Sequence, residues 1–207
     1  GVEWELDNFL DNRDESIDTI VSAIGEDFCI AKGDGSLDYG AEFVTAPAGA
    51  TFLLERLKRG CEVIDTSVDI EDNEASRSGI HIHIARSFFP DEESIEKFIS
   101  FINSRSNKRL IEKIANRYNC QWAYILGKSS GYKRGWYRSM ESEGKYASVN
   151  VNHRNTLEVR LFHSTTKFAT MAARVEFVAA LARFSILPET EEAASIEAFF
   201  DYIRPRI

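Results

Sequence analysis

The sequence predicts an α+β fold in which a mainly antiparallel sheet is covered on one face by helices. Residues 1–7 and 79–85 alternate apolar and polar side chains, as strands with one buried face do. Other segments repeat apolar residues every three to four positions, which is the spacing of amphipathic helices. A hairpin over residues 146–166, with its turn at residues 152–155, makes two further strands antiparallel neighbours.

The same two periodicities assign the rest of the chain in order. Strands are predicted at residues 1–7, 27–31, 40–46, 62–65 and 79–85 and in the hairpin. Helices are predicted at residues 14–24, 91–102, 108–119, 167–186 and 191–203. One more helix of about three turns follows Pro47, with Phe52, Leu53 and Leu57 on its apolar side and a stop at Gly60. Residues 69–78 form an acidic loop, and residues 122–126 are a short apolar stretch of uncertain type.

Size and charge limit the classes of function. The 207 residues, of which 43% are hydrophobic, suit one large domain over residues 1–207 or one domain with appendages, and the chain is also compatible with a domain cut from a longer one. The net charge is −8, and no long run of Lys and Arg stands out. Broad electrostatic binding to nucleic acid is therefore disfavoured, although a local basic pocket is compatible with this charge.

The cysteines and the hydropathy indicate the compartment. The sequence contains an odd number of cysteines, and none of them shows C-x-x-C spacing; they are Cys29, Cys61 and Cys120. We therefore expect free thiols in a reducing compartment. No apolar run approaches the ~20 residues of a membrane span, and no signal peptide is visible. These features favour a cytoplasmic protein without a membrane partner.

Three predicted strands carry a pair of polar groups two residues apart, so that both members project from one face. The pairs are Glu3 with Glu5, His81 with His83, and Glu158 with Arg160, and Glu42 lies on a fourth strand. If these strands share one sheet, the polar face becomes a floor of carboxylates, imidazoles and one guanidinium. Gathered carboxylates require cations, so such a floor suits about two divalent metals that bridge a polyphosphate.

Each pair also has a purely structural interpretation. The two glutamates suit a solvent-facing strand edge, and Glu158 with Arg160 suits an ordinary salt bridge on a solvated face. A single strand histidine is more often structural than a ligand, whereas a His-x-His pair on one face is a recurrent ligand geometry. Residues 127–144 combine glycines and aromatic residues with four cations, and they suit either a surface loop or a mobile basic flap over an anionic ligand; the cations are Lys128, Lys133, Arg134 and Arg138.

Five motifs in order resemble the amidoligase family, which belongs to the carboxylate–amine ligase superfamily with glutamine synthetase and γ-glutamylcysteine ligase. They are GVEWE, DGS followed by GAEFVTAP, SGIHIHIA, KYASVN and LEVRLFHST. The resemblance covers most of residues 1–166. It implies the glutamine synthetase / γ-glutamylcysteine ligase-like catalytic fold, an antiparallel sheet curved around the active site and backed by helices.

The resemblance also implies roles for individual residues. It gives metal ligation to Glu3, Glu5, Glu42, His81 or His83, and Glu158. It gives phosphate binding to Arg160, with Glu158 beside it in catalysis, and nucleotide contacts to Asn150 and His81. The basic flap does not align with the family, and its own cations Lys133 and Arg134 are expected to add nucleotide contacts. With a three-residue turn, Asn150 would lie opposite Glu158. The chain departs from the family pattern at Ser78, Val159 and Ser164–Thr165, and none of these departures removes a ligand.

The activity that the resemblance implies is ATP-dependent amide or isopeptide bond formation between a carboxylate and an amine, through an acyl phosphate, with Mg²⁺ or Mn²⁺. Three alternatives stay open at this point: a phosphotransferase of the guanidino-kinase kind, a two-metal nuclease or phosphohydrolase, and a non-catalytic binding module. The sequence identifies neither the carboxylate nor the amine, and it leaves the oligomeric state open.

Overall fold

The computed structural model describes residues 1–71, 78–117, 140–142, 144–188 and 195–206. Within these residues, six strands form one antiparallel sheet in the order β2-β3-β1-β4-β6-β5. The strands are β1 Val2–Leu6, β2 Cys29–Lys32, β3 Ala41–Thr45, β4 Gly79–Ala85, β5 Val149–Asn150 and β6 Thr156–His163. The fold is therefore α+β with an antiparallel sheet backed by helices, as predicted.

Six α-helices have both of their ends within the described part of the chain. They are α1 Arg13–Ile24, α2 Ala50–Ser67, α3 Glu92–Asn103, α4 Lys108–Ala115, α5 Phe168–Ser185 and α6 Ile196–Ile203. Short 3₁₀ turns occupy Arg86–Phe88, Gly144–Tyr146 and Arg204–Arg206. None of the described helices combines the length and the apolar character that a membrane crossing requires.

The chain divides into two compact units. Unit 1 comprises Gly1–Ile82 and Phe162–Glu176, and unit 2 comprises His83–Leu161 and Phe177–Ile207. The single catalytic domain predicted over residues 1–207 stays a prediction.

The core of unit 1 is built on the apolar face of β1. Val2, Trp4 and Leu6 alternate along this strand and are buried, as their period predicts. Helix α1 packs against α2, with Ile20 and Ile24 fully buried. This packing fixes which face of β1 remains for polar side chains.

The predicted helix stop at Gly60 is wrong, and so is the predicted strand at residues 62–65. Helix α2 continues through both to Ser67. A Cβ at position 60 would lie 2.9 Å from Cγ1 of Ile24 and 3.3 Å from the ring of Trp4. The glycine therefore permits close packing of α2, and the loss of helix propensity is offset by that contact.

The apolar side of α2 is also narrower than predicted. Leu53 and Leu57 are buried, but Phe52 is 45% exposed. Its ring lies 5.0 Å from the guanidinium of Arg56 and 5.2 Å from the ring of Phe28, which it meets edge-on. Cation–π and ring contacts at the surface thus replace burial for this side chain.

Unit 2 is organised around α3, in which every residue from Ser94 to Asn103 is buried. The Asp91 side chain caps this helix and accepts a hydrogen bond from the Ser94 amide at 2.8 Å. Phe101 of α3 meets rings from α5 and α6, namely Phe177, Phe184 and Phe199.

Helix α4 ends at Ala115, four residues earlier than predicted. Asn116 adopts a left-handed conformation with φ of 51°, and its amide donates to the carbonyl of Glu112 at 3.0 Å. Asparagine tolerates this conformation, which terminates a helix as glycine often does. Helix α6 is observed from Ile196 within the predicted segment, and residues 189–194 lie outside the described residues.

Candidate functional site

Unit 1 gathers three glutamates on the polar face of its strands. Glu3 and Glu5 project from β1, and Glu5 is the cross-strand partner of Glu42 on β3. Glu3 is in turn the partner of His81 on β4. Directly opposed residues in an antiparallel pair have Cβ atoms about 4.5–5.5 Å apart. The ladder registers therefore bring all four side chains, which the sequence singled out, into one carboxylate–histidine cluster.

The electrostatics of this cluster are unfavourable for full ionisation. The pKa of Glu42 is raised from 4.5 to about 7, first by burial and then by the charge of Glu3, a hydrogen bond with Glu3 and the charge of Glu5. Lys32, the cross-strand partner of Glu42 on β2, lowers this pKa and offsets only part of the effect. The balance of these effects extends the neutral form of Glu42 above its ordinary pH range.

His81 completes the cluster. Its Nδ1 lies 3.3 Å from Oε2 of Glu3, and its Nε2 lies 3.5 Å from Oε1 of Glu5. The side chain is buried, so the imidazole is held between the two carboxylates. The other carboxylate oxygen of Glu5 accepts a hydrogen bond from the Gly79 amide at 2.5 Å, which anchors Glu5 against β4.

The donor set of the carboxylate–histidine cluster suits a divalent cation. Carboxylate oxygens are the ligands that Mg²⁺ prefers, and Mn²⁺ accepts both carboxylate and imidazole ligands. A cation at this point would also remove the repulsion that raises the pKa of Glu42. The residues present therefore fit a metal of this class.

Unit 2 holds the hairpin that carries Asn150, Glu158 and Arg160. In the β5–β6 ladder Asn150 is the cross-strand partner of Glu158, and its Nδ2 donates to Oε2 of Glu158 at 2.7 Å. The predicted juxtaposition of these two side chains is confirmed. Residues 151–155 connect the two strands, so the loop length sets the register.

Glu158 is buried and accepts from donors on both carboxylate oxygens. Arg160 pairs with Oε1 through Nη1, and Nε2 of His153 lies 2.8 Å from Oε2. The guanidinium of Arg160 is thus oriented by a fixed carboxylate. His153 was missed as a site residue, because the sequence assigned it only to the turn; its single signal is a titratable side chain in a hairpin turn beside Glu158.

Arg86 fixes the turn that presents His153. Its amide donates to the carbonyl of Asn155 at 2.9 Å, its Nε donates to the carbonyl of His153 at 2.9 Å, and its Nη2 donates to the carbonyl of Val151. Three donors from one residue therefore hold the backbone of residues 151–155. The position of the His153 ring follows from this backbone path.

The two histidines of the predicted pair have different surroundings. His83 belongs to unit 2, where its Nδ1 lies 3.3 Å from Oγ1 of Thr156 and its ring meets that of His153 at 5.6 Å between centroids. His81 is the histidine that lies among the glutamates of unit 1.

The remaining predicted site residues, Lys133 and Arg134, lie outside the described residues, together with Lys128, Arg138 and Cys120.

No protein-family model matches the chain, and no curated protein sequence gives a significant match.

Proposed function

We propose that this chain is an ATP-dependent carboxylate–amine ligase that forms an amide or isopeptide bond through an acyl phosphate, on a glutamine synthetase / γ-glutamylcysteine ligase-like fold. The observation that carries the proposal is the carboxylate–histidine cluster of Glu3, Glu5, Glu42 and His81, in which burial and the neighbouring carboxylates raise the pKa of Glu42 to about 7. The five ordered sequence motifs support the choice of this activity among those that use such a cluster.

In this proposal the carboxylate–histidine cluster holds Mg²⁺ or Mn²⁺. The metal, when bound, supplies positive charge to the β- and γ-phosphates of ATP. The chain's own contribution is a preorganised donor set: the ladder registers fix Glu3, Glu5 and Glu42, and the Gly79 amide orients Glu5. The metal-ligand role of Glu158 and of His83 stays a prediction.

Arg160 is proposed to bind the phosphate that is transferred. A guanidinium offers several donors in a fixed plane and suits phosphate oxygens. The buried carboxylate of Glu158 holds that guanidinium in one orientation, and Asn150 and His153 hold Glu158. Preorganised charge of this kind stabilises a transition state without reorganisation during the reaction.

The proposed reaction balances in two steps. A carboxylate oxygen of the first substrate attacks the γ-phosphorus of ATP, the bond from that phosphorus to the ADP oxygen breaks, and an acyl phosphate and ADP result. The amine nitrogen of the second substrate then attacks the acyl carbon, the carbon–oxygen bond to phosphate breaks, and the nitrogen loses its extra proton to solvent. The products are an amide, ADP and inorganic phosphate.

The proposal is tested by measuring ADP and amide formation over a panel of carboxylate and amine pairs with Mg²⁺ and ATP. Glu158→Ala should abolish ADP formation with the fold intact by circular dichroism, because Arg160 loses its anchor. Glu197→Ala changes an exposed glutamate of α6 and serves as the matched control.

Other outcomes would replace the proposal by a rival. Phosphate transfer to a nitrogen without a new amide would identify a phosphotransferase. Hydrolysis of phosphodiesters or phosphomonoesters without ATP would identify a phosphohydrolase or nuclease, and the absence of nucleotide binding would favour a binding module. Full turnover in Glu158→Ala would contradict the assigned role of Glu158.

A further inference from the structure

Helix α4 and the turn before it carry a concentration of positive charge. Residues 105–117 contain five basic residues and one acidic residue, in a chain with a net charge of −8. Arg105, Arg109 and Lys113 follow one another at intervals of four residues, with Lys108 beside them, and all four are exposed. We call these four residues the basic ridge.

The ridge is held in a fixed orientation by the opposite face of the helix. Ile111 and Ala115 are buried, and α4 contacts α3. Because this face of α4 is packed, the exposed side chains of Arg109 and Lys113 on the other face are held toward solvent.

Only one of the four cations of the basic ridge has an ion-pair partner in the described part of the chain. Lys108 pairs with Glu112 at 3.6 Å. For Arg105, Arg109 and Lys113, the structure gives no ion pair with any residue in the described ranges. Like charges four residues apart on a helix repel one another, so an anionic partner would relieve this repulsion.

The spacing of the ridge favours one class of anion. Residues four apart on a helix are separated by about 6 Å along the axis, so this is the axial separation of Arg109 and Lys113 in α4, while Arg105 lies in the turn before the helix. Alternate residues of an extended peptide project from one side at intervals of about 6.6 Å. The spacing of Arg109 and Lys113 therefore matches two acidic side chains at alternate positions of a short extended segment, and Arg105 offers a third cation beside the start of the helix.

A nucleic acid matches the ridge less well. Its affinity comes from neutralising many phosphates along a continuous backbone, and three unpaired cations supply few such contacts.

We propose that the basic ridge is a docking surface for an acidic polypeptide segment that presents carboxylates at alternate positions. The segment belongs to a substrate or partner protein and binds along α4 through Arg105, Arg109 and Lys113. The inference does not depend on the proposed ligase activity, because it concerns only the charge and spacing of this helix.

The test is fluorescence anisotropy with a labelled ten-residue peptide of alternating Glu and Ser, titrated with the whole chain at low salt. A peptide of alternating Gln and Ser is the neutral probe, and a ten-nucleotide single strand is the nucleic-acid probe. The triple variant R105E/R109E/K113E reverses the unpaired cations. The variant K58E/R59E/R183E makes the same change of charge at exposed positions elsewhere and is the matched control.

We expect the acidic peptide to bind and the neutral peptide not to bind, with an affinity that falls as salt rises. R105E/R109E/K113E should weaken binding by about tenfold or more, since three ion pairs of surface strength are lost and replaced by repulsion. K58E/R59E/R183E should stay within about twofold of the parent, and circular dichroism should be unchanged in both variants.

Three results would overturn the inference. One is an acidic peptide that does not bind, and another is equal weakening of binding by the two triple variants. The third is tighter binding of the oligonucleotide than of the acidic peptide, which would make the ridge a nucleic-acid surface instead.

Discussion

Replacing Glu42 by Gln removes an ionisable group whose charged form is disfavoured in the carboxylate–histidine cluster. The carboxyl has a pKa of about 7 in the folded chain, against 4.5 for an unperturbed one. Between these pH values the folded state holds a proton that the unfolded state has lost. The free energy of unfolding should therefore fall as the pH rises from about 4.5 to about 7 and level off above.

The size of the effect follows from the same difference. A pKa difference of this size corresponds to about 3 kcal/mol at its full value. Because Glu42 is only partly buried, solvent screening reduces this, and we expect about 1–2 kcal/mol. Gln keeps the shape of Glu and carries no charge at any of these pH values. Glu42→Gln should therefore be about 1–2 kcal/mol more stable than the parent at pH 8, and close to it at pH 4.5.

Urea unfolding followed by circular dichroism at pH 4.5, 6, 7 and 8 measures this difference. The experiment requires a chelator, since a bound cation would favour the ionised carboxylate and hide the effect. Glu55→Gln, at an exposed position of α2 in the same unit, is the control and should show no such change between pH 4.5 and 8. A Glu42→Gln variant less stable than the parent at pH 8, or one with a pH-independent difference, would refute the reasoning.

Further predictions concern the packing and the turn. Gly60→Ala should lower the free energy of unfolding by about 1 kcal/mol despite its better helix propensity, because the new methyl group would press on Cγ1 of Ile24; urea unfolding measures this, and a stabilised variant would contradict it. Arg86→Ala should lower the free energy of unfolding by about 1–2 kcal/mol, because the donors to the turn carbonyls are lost, and Arg86→Lys should lower it less. Equal stability of Arg86→Ala and the parent in urea unfolding would contradict the role of Arg86 in holding the turn. Burial raises the pKa of the Cys29 thiol to about 11 and that of Cys61 to about 12, so iodoacetamide at pH 8 should label neither until urea unfolds the chain, as peptide mass mapping would reveal. Rapid labelling of either cysteine in the native chain would contradict that burial.

The strands were predictable because their signal is local. Alternation in residues 1–7 and 79–85 depends only on neighbouring side chains, and the hairpin register followed from the length of its turn. These local signals sufficed to select Glu3, Glu5 and Glu42 as members of one polar face. The ladder registers then joined them with His81.

Other features could not be predicted, because they depend on contacts between residues that are far apart in the sequence. Gly60 looks like a helix stop, and only the approach of Ile24 explains why α2 continues. His81 and His83 are equivalent in alternation, so only the sheet distinguishes the one that meets Glu3 and Glu5. The contact of His153 with Glu158 likewise depends on a turn conformation that Arg86 fixes from another segment.

Calorimetric titration of ATP, with and without Mg²⁺, is the most direct test of the proposed ligase. ATP should bind only when Mg²⁺ is present, and the binding heat should disappear in the double variant Glu3→Gln/Glu5→Gln with its fold intact by circular dichroism. The control Glu55→Gln/Glu62→Gln, at exposed positions of α2, should bind as the parent does. Absence of ATP binding under both conditions, or equal binding in the Glu3→Gln/Glu5→Gln variant, would contradict the proposal that this carboxylate–histidine cluster serves an ATP-dependent ligase.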